Sequence, residues 1–322
     1  MNLTEIQRGF VNQDGHLLVE GGPGSGKTTV AIIKAEKIIS EKLSNGQKIL
    51  FLSFSRAAVS RVIEAIDELS LMTSEQNKLI EVETYHSFFW RIIKTHGYLL
   101  GLPRKLGVLT PSAAAVALSA IRSEYNSELP LEEKEKIHRR EIEELKRLAF
   151  EDGQISFDLF SELVEALLRK SQKIRTLLCS AFPYILLDEF QDTNPGQWEI
   201  IKLLGTGSIL IALADPEQRI FDFIGADPER LNHFRAEFKP QEFSLGTDNH
   251  RSNGTDISHF GNDILSGKFR MLAYNGVNIV KYPANQNQAF GTLKIQTLQA
   301  RKRLLNANKK GWSLAVLVPT KK

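Results

Sequence analysis

Gly21-Gly22-Pro23-Gly24-Ser25-Gly26-Lys27-Thr28 follows a short apolar run, His16 to Val19, and leads straight into a helical pattern carried by Val30, Ile33, Ala35, Ile38 and Ile39. The spacing is G-x-x-x-x-G-K-[ST], the signature of a phosphate-binding loop. Between a strand and a helix, such glycines let the backbone wind so that successive N–H groups point at a polyphosphate on the helix N-terminus. Lys27 is then placed to neutralise β and γ phosphates, and the Thr28 hydroxyl to ligate Mg2+. The plain alternative is a glycine-rich turn with no ligand.

Working outward from the loop, four more short apolar runs read as buried strands: Ile49 to Leu52, Ile80 to Thr84, Tyr184 to Leu187 and Ile209 to Ala214. Helical patterns separate several of them, which predicts a parallel sheet covered on both faces. The fourth run in chain order delivers Asp188 and Glu189 at its end. A nucleotide site needs a carboxylate for the metal and a base for water, and an Asp-Glu pair at a buried strand end supplies both. Taken alone, such a pair reads equally well as a solvated strand end; the phosphate loop upstream favours the functional reading. From Trp90 to Lys173 the alternation stops and the pattern is helical throughout. Thr110-Pro111 is a cap with proline in the first turn. Leu159, Phe160, Leu163, Val164, Leu167 and Leu168 form an apolar stripe. Leu131 to Leu148 is rich in Glu, Lys and Arg and reads as a solvated helix face.

The chain has 322 residues, 42% of them apolar and 25% charged, which excludes disordered and collagen-like classes. Its one cysteine, Cys179, allows no internal disulfide and fits a reducing compartment. No apolar run approaches the length that spans a bilayer, and the first ten residues lack a signal-peptide pattern, so a cytoplasmic location is expected, without membrane contact. Charge is unevenly placed. All 38 acids lie at or before Asp263 and face 30 Lys and Arg, a net −8, whereas the remainder carries 11 basic residues and no acid. That switch marks a boundary. Arg301, Lys302, Arg303, Lys309 and Lys310 read either as phosphate contacts for nucleic acid or as half of a domain whose acids lie elsewhere.

Leu187-Asp188-Glu189-Phe190-Gln191-Asp192-Thr193 resembles motif II of the UvrD/Rep/PcrA-like superfamily 1 DNA helicases. Further matches follow in that family's order. Leu3 to Gln7 resembles its Q motif, Ser53-Phe54-Ser55-Arg56-Ala57-Ala58 motif Ia, and Glu83 to Phe88 its Thr-Phe-His-Ser element. Asp215 to Phe223 is similar to motif III, and Asn249-His250-Arg251-Ser252 to motif IV. The resemblance implies a RecA-like α/β motor domain built from 1–89 and 174–250, an all-helical insertion at 90–173, and the start of a second RecA-like domain at 251–322. It implies ATP and Mg2+ as cofactors and movement on single-stranded DNA, usually 3′ to 5′. Gln7, reading the adenine edge, joins Gly22, Pro23, Gly24, Ser25, Gly26, Lys27, Thr28 and Thr29 as the nucleotide-binding set, with Thr28 and Asp188 on the metal. Lys27, Glu189, Gln218 as γ-phosphate sensor and Arg251 as arginine finger form the implied catalytic set. Phe54, Thr84, Tyr85, His86, Phe221 and Phe223 fall where the family contacts DNA, although each aromatic could equally be core.

Three departures stand out. Ile224 occupies the place of the motif III arginine, Ala214 that of a glycine, and His250 that of the motif IV aromatic. No counterpart of motif V or VI is found, and Trp312 to Thr320 resembles only the first strand of a second motor domain. Two functions are therefore expected: a helicase-class ATPase, as a fragment or as a short form needing a second subunit, or a regulatory ATP switch acting on a partner such as a nuclease. A small-molecule kinase would share the phosphate loop but leave Gln218 and Arg251 unexplained.

Overall fold

The structure is a computed structural model and describes residues 3–126, 129–216, 227–246, 256–267, 273–281, 285–306, 312 and 314–316. The chain divides into two compact units, 1–251 and 252–322.

The described strands of the first unit are, in chain order, β1 (Leu17–Glu20), β2 (Ile49–Ser53), β3 (Ile80–Thr84), β4 (Gly107–Leu109), β5 (Gln154–Ser156), β6 (Tyr184–Leu187), β7 (Ile209–Ala214) and β8 (Gln241–Ser244). Six of them form one parallel sheet in the order β3-β2-β6-β7-β1-β8. Its helices are α1 (Glu5–Asn12), α2 (Lys27–Glu41), α3 (Arg56–Leu69), α4 (Ser74–Asn77) and α5 (Tyr85–His96) in the first stretch. Then come α6 (Pro111–Ala117), α7 (Ser119–Arg122), α8 (Leu131–Glu151), α9 (Phe160–Lys170), α10 (Gln172–Ala181), α11 (Pro195–Gly205) and α12 (Arg230–Phe238).

The apolar runs alternate after all, because both faces are covered. Leu17, Val19, Phe51, Leu186 and Ile211 pack toward Phe10, Ile32 and Ile38 on α1 and α2. Leu18, Leu50, Leu52, Ile185, Leu187 and Leu210 face the opposite layer, which runs without a break into Phe160, Leu163 and Leu167 of α9. Ile185, Leu186 and Leu187 are each no more than 2% exposed. Burying each contributes about 1.5–3 kcal/mol, enough to hold a strand that ends in two carboxylates.

Four of the five expected strands sit where the apolar runs place them. The other, β1, starts at Leu17 rather than His16, whose imidazole Nδ1 instead accepts the Leu210 N–H at 3.1 Å. β8 escapes sequence reading: as an edge strand it is largely exposed, and Phe243 is its one large apolar residue. The segment expected to be purely helical is not. β4 and β5 pair in parallel as a two-stranded sheet, each three residues long and too short to show an alternation. The chain enters β5 through Gly153 at φ +66°, where a Cβ would lie 2.3 Å from the Lys105 carbonyl oxygen, so only glycine fits. Two expectations for this segment hold. Thr110 caps α6 by accepting the Ala113 N–H, and α8 buries only Ile137, Leu145 and Ala149 while its charges pair at the surface.

One buried lysine positions α1. Lys34 of α2 is 3% exposed, and its Nζ donates to the carbonyls of Val11, at 2.9 Å, and Gln13 at the C-terminal end of α1. Burial pushes its amine down to about 8, with Asp14 opposing. The opposite end of α1 carries Gln7 to the phosphate loop.

In the second unit, α13 (Ile257–Ser266) and α14 (Gln286–Asn306) are the described helices. The Tyr274 ring packs on Phe260 at 5.0 Å, and its hydroxyl donates to Asp263 at 2.7 Å. α14 carries Lys294, Arg301, Lys302 and Arg303 and no acid. Among the described residues no helix is long and apolar enough to cross a membrane.

Candidate nucleotide-binding site

The C-terminal ends of β1, β6 and β7 open into a cleft of about 660 Å³, at the edge where open parallel sheets bind ligands. The phosphate loop wraps its centre. Gly26 caps α2 at φ +88°, a left-handed conformation that lets the loop enter the helix with its first N–H groups unshielded. Its walls include Pro23 to Val30, so Pro23, Gly24, Ser25, Gly26, Lys27, Thr28 and Thr29 of the expected set all line it. Gly22 gives its N–H to Gly246 at 3.1 Å, which ties the start of the loop to the residues after β8.

Lys27 reaches back over the loop. Its Nζ donates to the carbonyls of Gly21 at 2.5 Å and Gly22 at 3.1 Å, and lies 3.7 Å from Asp215 Oδ2. Opposite it stand Asp188, Glu189 and Asp215, at the ends of β6 and β7. Asp188 is 8% exposed and accepts the Ser53 hydroxyl at 3.3 Å. Burial, and next the charge of Glu189, push its carboxyl up to about 6, while Ser53, Lys27 and a backbone donor pull it down. Such a carboxylate is relieved by a hard cation. With Thr28 lining the same cleft, it fits Mg2+, which takes one or two protein oxygens and leaves the rest to phosphates and water.

Glu189 is one of three non-glycine residues with positive φ among those described, at φ +49°. Strain of this kind costs roughly 1–3 kcal/mol and persists only where neighbours hold it. Here the neighbour is Gln191, itself 1% exposed. Its Nε2 donates to Glu189 Oε2 at 2.9 Å, and its Oε1 accepts the Asp215 N–H at 2.9 Å. One amide thus ties the ends of β6 and β7 and aims the carboxylate. Sequence reading assigned no role to Gln191, Asp215 or Ser53. Asp215 carried a usable signal, since it ends an apolar strand as Asp188 does. Gln191→Ala strands a buried N–H and loosens Glu189. Stability should fall by about 1–3 kcal/mol, and turnover at least about tenfold, with ATP affinity within about twofold. Wild-type turnover in that variant would show that Glu189 orients without Gln191.

Gln7 lies at the far end of the cleft. Its Oε1 accepts the Thr4 N–H at 3.0 Å, and its N–H donates to Thr4 Oγ1 at 3.2 Å, closing a capping box on α1. The side-chain amide nitrogen points over the loop, 3.9 Å from where a Cβ on Gly26 would stand. The oxygen is therefore engaged in structure and the NH2 is the group left for a base edge.

The expected DNA contacts divide. Thr84 caps α5 through the Ser87 N–H and is half-buried. Phe54 is half-buried, with its ring 5.1 Å from Tyr85. Tyr85 is a correction: it is 1% exposed among Phe54 and Phe89 in the core, so it cannot stack on a base while the sheet stays packed. His86 is exposed, its ring edge-on to Phe157 at 5.4 Å. Phe157, just after β5, is 40% exposed and 5.1 Å from Phe160, which stacks on Trp90 at 5.7 Å. Phe157 was not among the expected contacts; an aromatic in a turn carries no periodic signal. Gln218, Phe221, Phe223, Ile224, His250 and Arg251 lie outside the described residues.

A parallel sheet with this loop and these carboxylates defines a P-loop nucleotide-binding protein. The UvrD/REP helicase N-terminal domain model matches residues 3–152 and 120–239, and the chain belongs to that family. It is 23% identical over 299 residues to the ATP-dependent DNA helicase PcrA of Staphylococcus aureus (strain Mu50), covering 81% of this chain and 39% of PcrA. It is 27% identical over 300 residues to a protein named "Probable DNA helicase" in Mycoplasma pneumoniae, covering 82% of this chain and 56% of that protein. The chain thus spans between 39% and 56% of these two relatives. Among solved structures, Candida albicans Pif1 helicase gives a TM-score of 0.38 at 11% identity, over 92% of this chain and 55% of that one. Bacteroides Pif1 bound to ssDNA gives 0.38 at 15%, over 84% and 47%. A likeness that distant says nothing of the site.

Proposed function

We propose that this chain binds ATP with Mg2+ and hydrolyses it as the motor portion of a DNA helicase that moves on single-stranded DNA in the 3′ to 5′ sense usual for the family it resembles. The carrying observation is the convergence of Lys27, Asp188, Glu189 and Asp215 on one cleft beside the phosphate loop. Thr28 and Asp188 are the residues that would hold Mg2+, which when bound neutralises charge on the β and γ phosphates. The loop N–H groups and Lys27 cradle the triphosphate. Glu189, aimed by Gln191, takes a proton from the attacking water. Gln218 and Arg251 complete the γ-phosphate contacts by their motif positions. A cytoplasmic location goes with this reading.

DNA is expected to cross the C-terminal ends of β2 and β3, where Phe54, Thr84, His86 and Phe157 reach the surface. Base stacking is worth about 1–3 kcal/mol per ring and tolerates any sequence. The test measures affinity for a fluorescent oligothymidylate and ATP turnover with and without it. DNA should raise turnover. His86→Ala with Phe157→Ala should weaken DNA binding by roughly 10- to 100-fold and leave basal turnover unchanged. DNA affinity equal to wild type would remove this surface from the track.

Ile224 in place of the motif III arginine favours a second reading, a regulatory switch acting on a partner such as a nuclease. Normal ATP turnover without any strand separation by the complete assembly would select it.

A further inference from the structure

The phosphates account for only part of the cleft. Beyond the start of α2 it continues between Leu3, just before α1, and Gln7 of α1 on one side and Ala58, Arg61 and Val62 of α3 on the other. This end differs chemically from the carboxylate end. Among the described residues its walls are aliphatic apart from Thr4 and two long planar polar groups, the Gln7 amide and the Arg61 guanidinium, and none of them is an acid. Arg61 is exposed, forms no ion pair among the described residues, and has one long contact, Nε to the Ala57 carbonyl at 3.4 Å. Arg91, Arg122, Arg140, Arg147 and Arg169 are each held by carboxylates, whereas Arg8, Arg139 and Arg175 meet backbone carbonyls; of the arginines without a carboxylate, Arg61 is the one that lines the cleft. A guanidinium with no carboxylate, beside an apolar wall in a nucleotide cleft, is free to meet a ligand.

We propose that Arg61 is the base-contacting residue of this site: its guanidinium plane lies on the π face of the nucleobase, while Gln7 addresses the base edge. A guanidinium is weakly hydrated and planar, so it stacks on aromatic faces where an ammonium would stay in water. The division of labour is specific. A plane on a plane accepts any purine, so Arg61 supplies affinity; a hydrogen-bonding amide discriminates, so Gln7 supplies base choice. The inference rests on the reading of the cleft as a nucleoside triphosphate site, and extends it to a residue outside the loop and the carboxylates.

The experiment compares two probes on the full chain with Mg2+: ATP, and inorganic tripolyphosphate, which has the charge but no base. Arg61→Ala should weaken ATP by roughly 3- to 30-fold, GTP by a similar factor, and leave tripolyphosphate within about twofold. Equal loss for ATP and tripolyphosphate would make Arg61 a phosphate contact and overturn the proposal, as would no loss for either. Lys27→Ala serves as the control for the underlying reading, since it should weaken both probes together. If wild type and Lys27→Ala bind ATP alike, the nucleotide site itself fails, an outcome distinct from a failure of Arg61 alone. Arg61 is exposed, so its replacement leaves the core intact.

Discussion

Lys27→Ala reduces ATP affinity by at least about a hundredfold and leaves the protein folded. The ammonium of Lys27 is spread over two carbonyls of the loop and lies 3.7 Å from Asp215. When a triphosphate arrives, those partners are exchanged for oxygens that carry full charge, and hydrogen bonds between ionised groups are about twice as strong as neutral ones. Two such contacts in a cleft walled by β1, β6 and β7 are worth about 3–4 kcal/mol, which is two to three decades in affinity. A second effect adds to the first. Asp188, Glu189 and Asp215 converge on the same space, so without Lys27 three carboxylates meet an incoming polyanion with no side-chain cation of the loop between them. Stability should change little, because the carbonyls of Gly21 and Gly22 that lose the lysine can take water from the open cleft. Calorimetric titration with Mg2+ and ATP, beside a thermal melt, measures both. Retained affinity in a folded Lys27→Ala protein would remove the phosphate-loop assignment.

Glu189→Gln should separate binding from chemistry. Glutamine keeps the shape, and its Oε1 can still accept from Gln191, so the left-handed backbone at this position remains supported. What disappears is the proton acceptor, and general-base catalysis is worth about 10²- to 10⁴-fold. Turnover should fall by that factor with ATP affinity unchanged or slightly higher. The increase has a cause in Asp188, whose carboxyl stands at about 6 partly because of the Glu189 charge. Without that charge Asp188 is more fully ionised at neutral pH and a stronger ligand for the Mg2+ that arrives with the phosphates, while one anion has left the cleft. Loss of affinity and turnover in equal measure would assign Glu189 to binding.

The phosphate loop and the Asp188-Glu189 pair were legible because each is written locally: glycine spacing dictates a backbone path, and an apolar run that stops at two acids places them at a strand end. Gln191 was not legible as a brace. Its partners, Glu189 and the Asp215 N–H, meet only because β6 and β7 are neighbours in the sheet, and strand order is not written in either strand. Arg61 was hidden for a related reason, since only the packing of α3 beside α2 brings its face to the cleft. Tyr85 shows the opposite error. An aromatic after a strand serves a core as readily as a ligand, and here the core takes it, whereas the adjacent His86 faces out. β4, β5 and β8 are strands by pairing rather than by pattern, so hydrogen-bond partners far along the chain decide them.

The hydrogen bond from the Gly22 N–H to the Gly246 carbonyl joins positions more than two hundred residues apart in sequence, yet it makes them mechanical neighbours. Gly246 follows β8, the last of the described strands, and the first unit ends at Arg251. Whatever shifts the chain just after β8 therefore also shifts a partner of the phosphate loop, so the entry to the loop and the edge strand of the sheet respond as one piece.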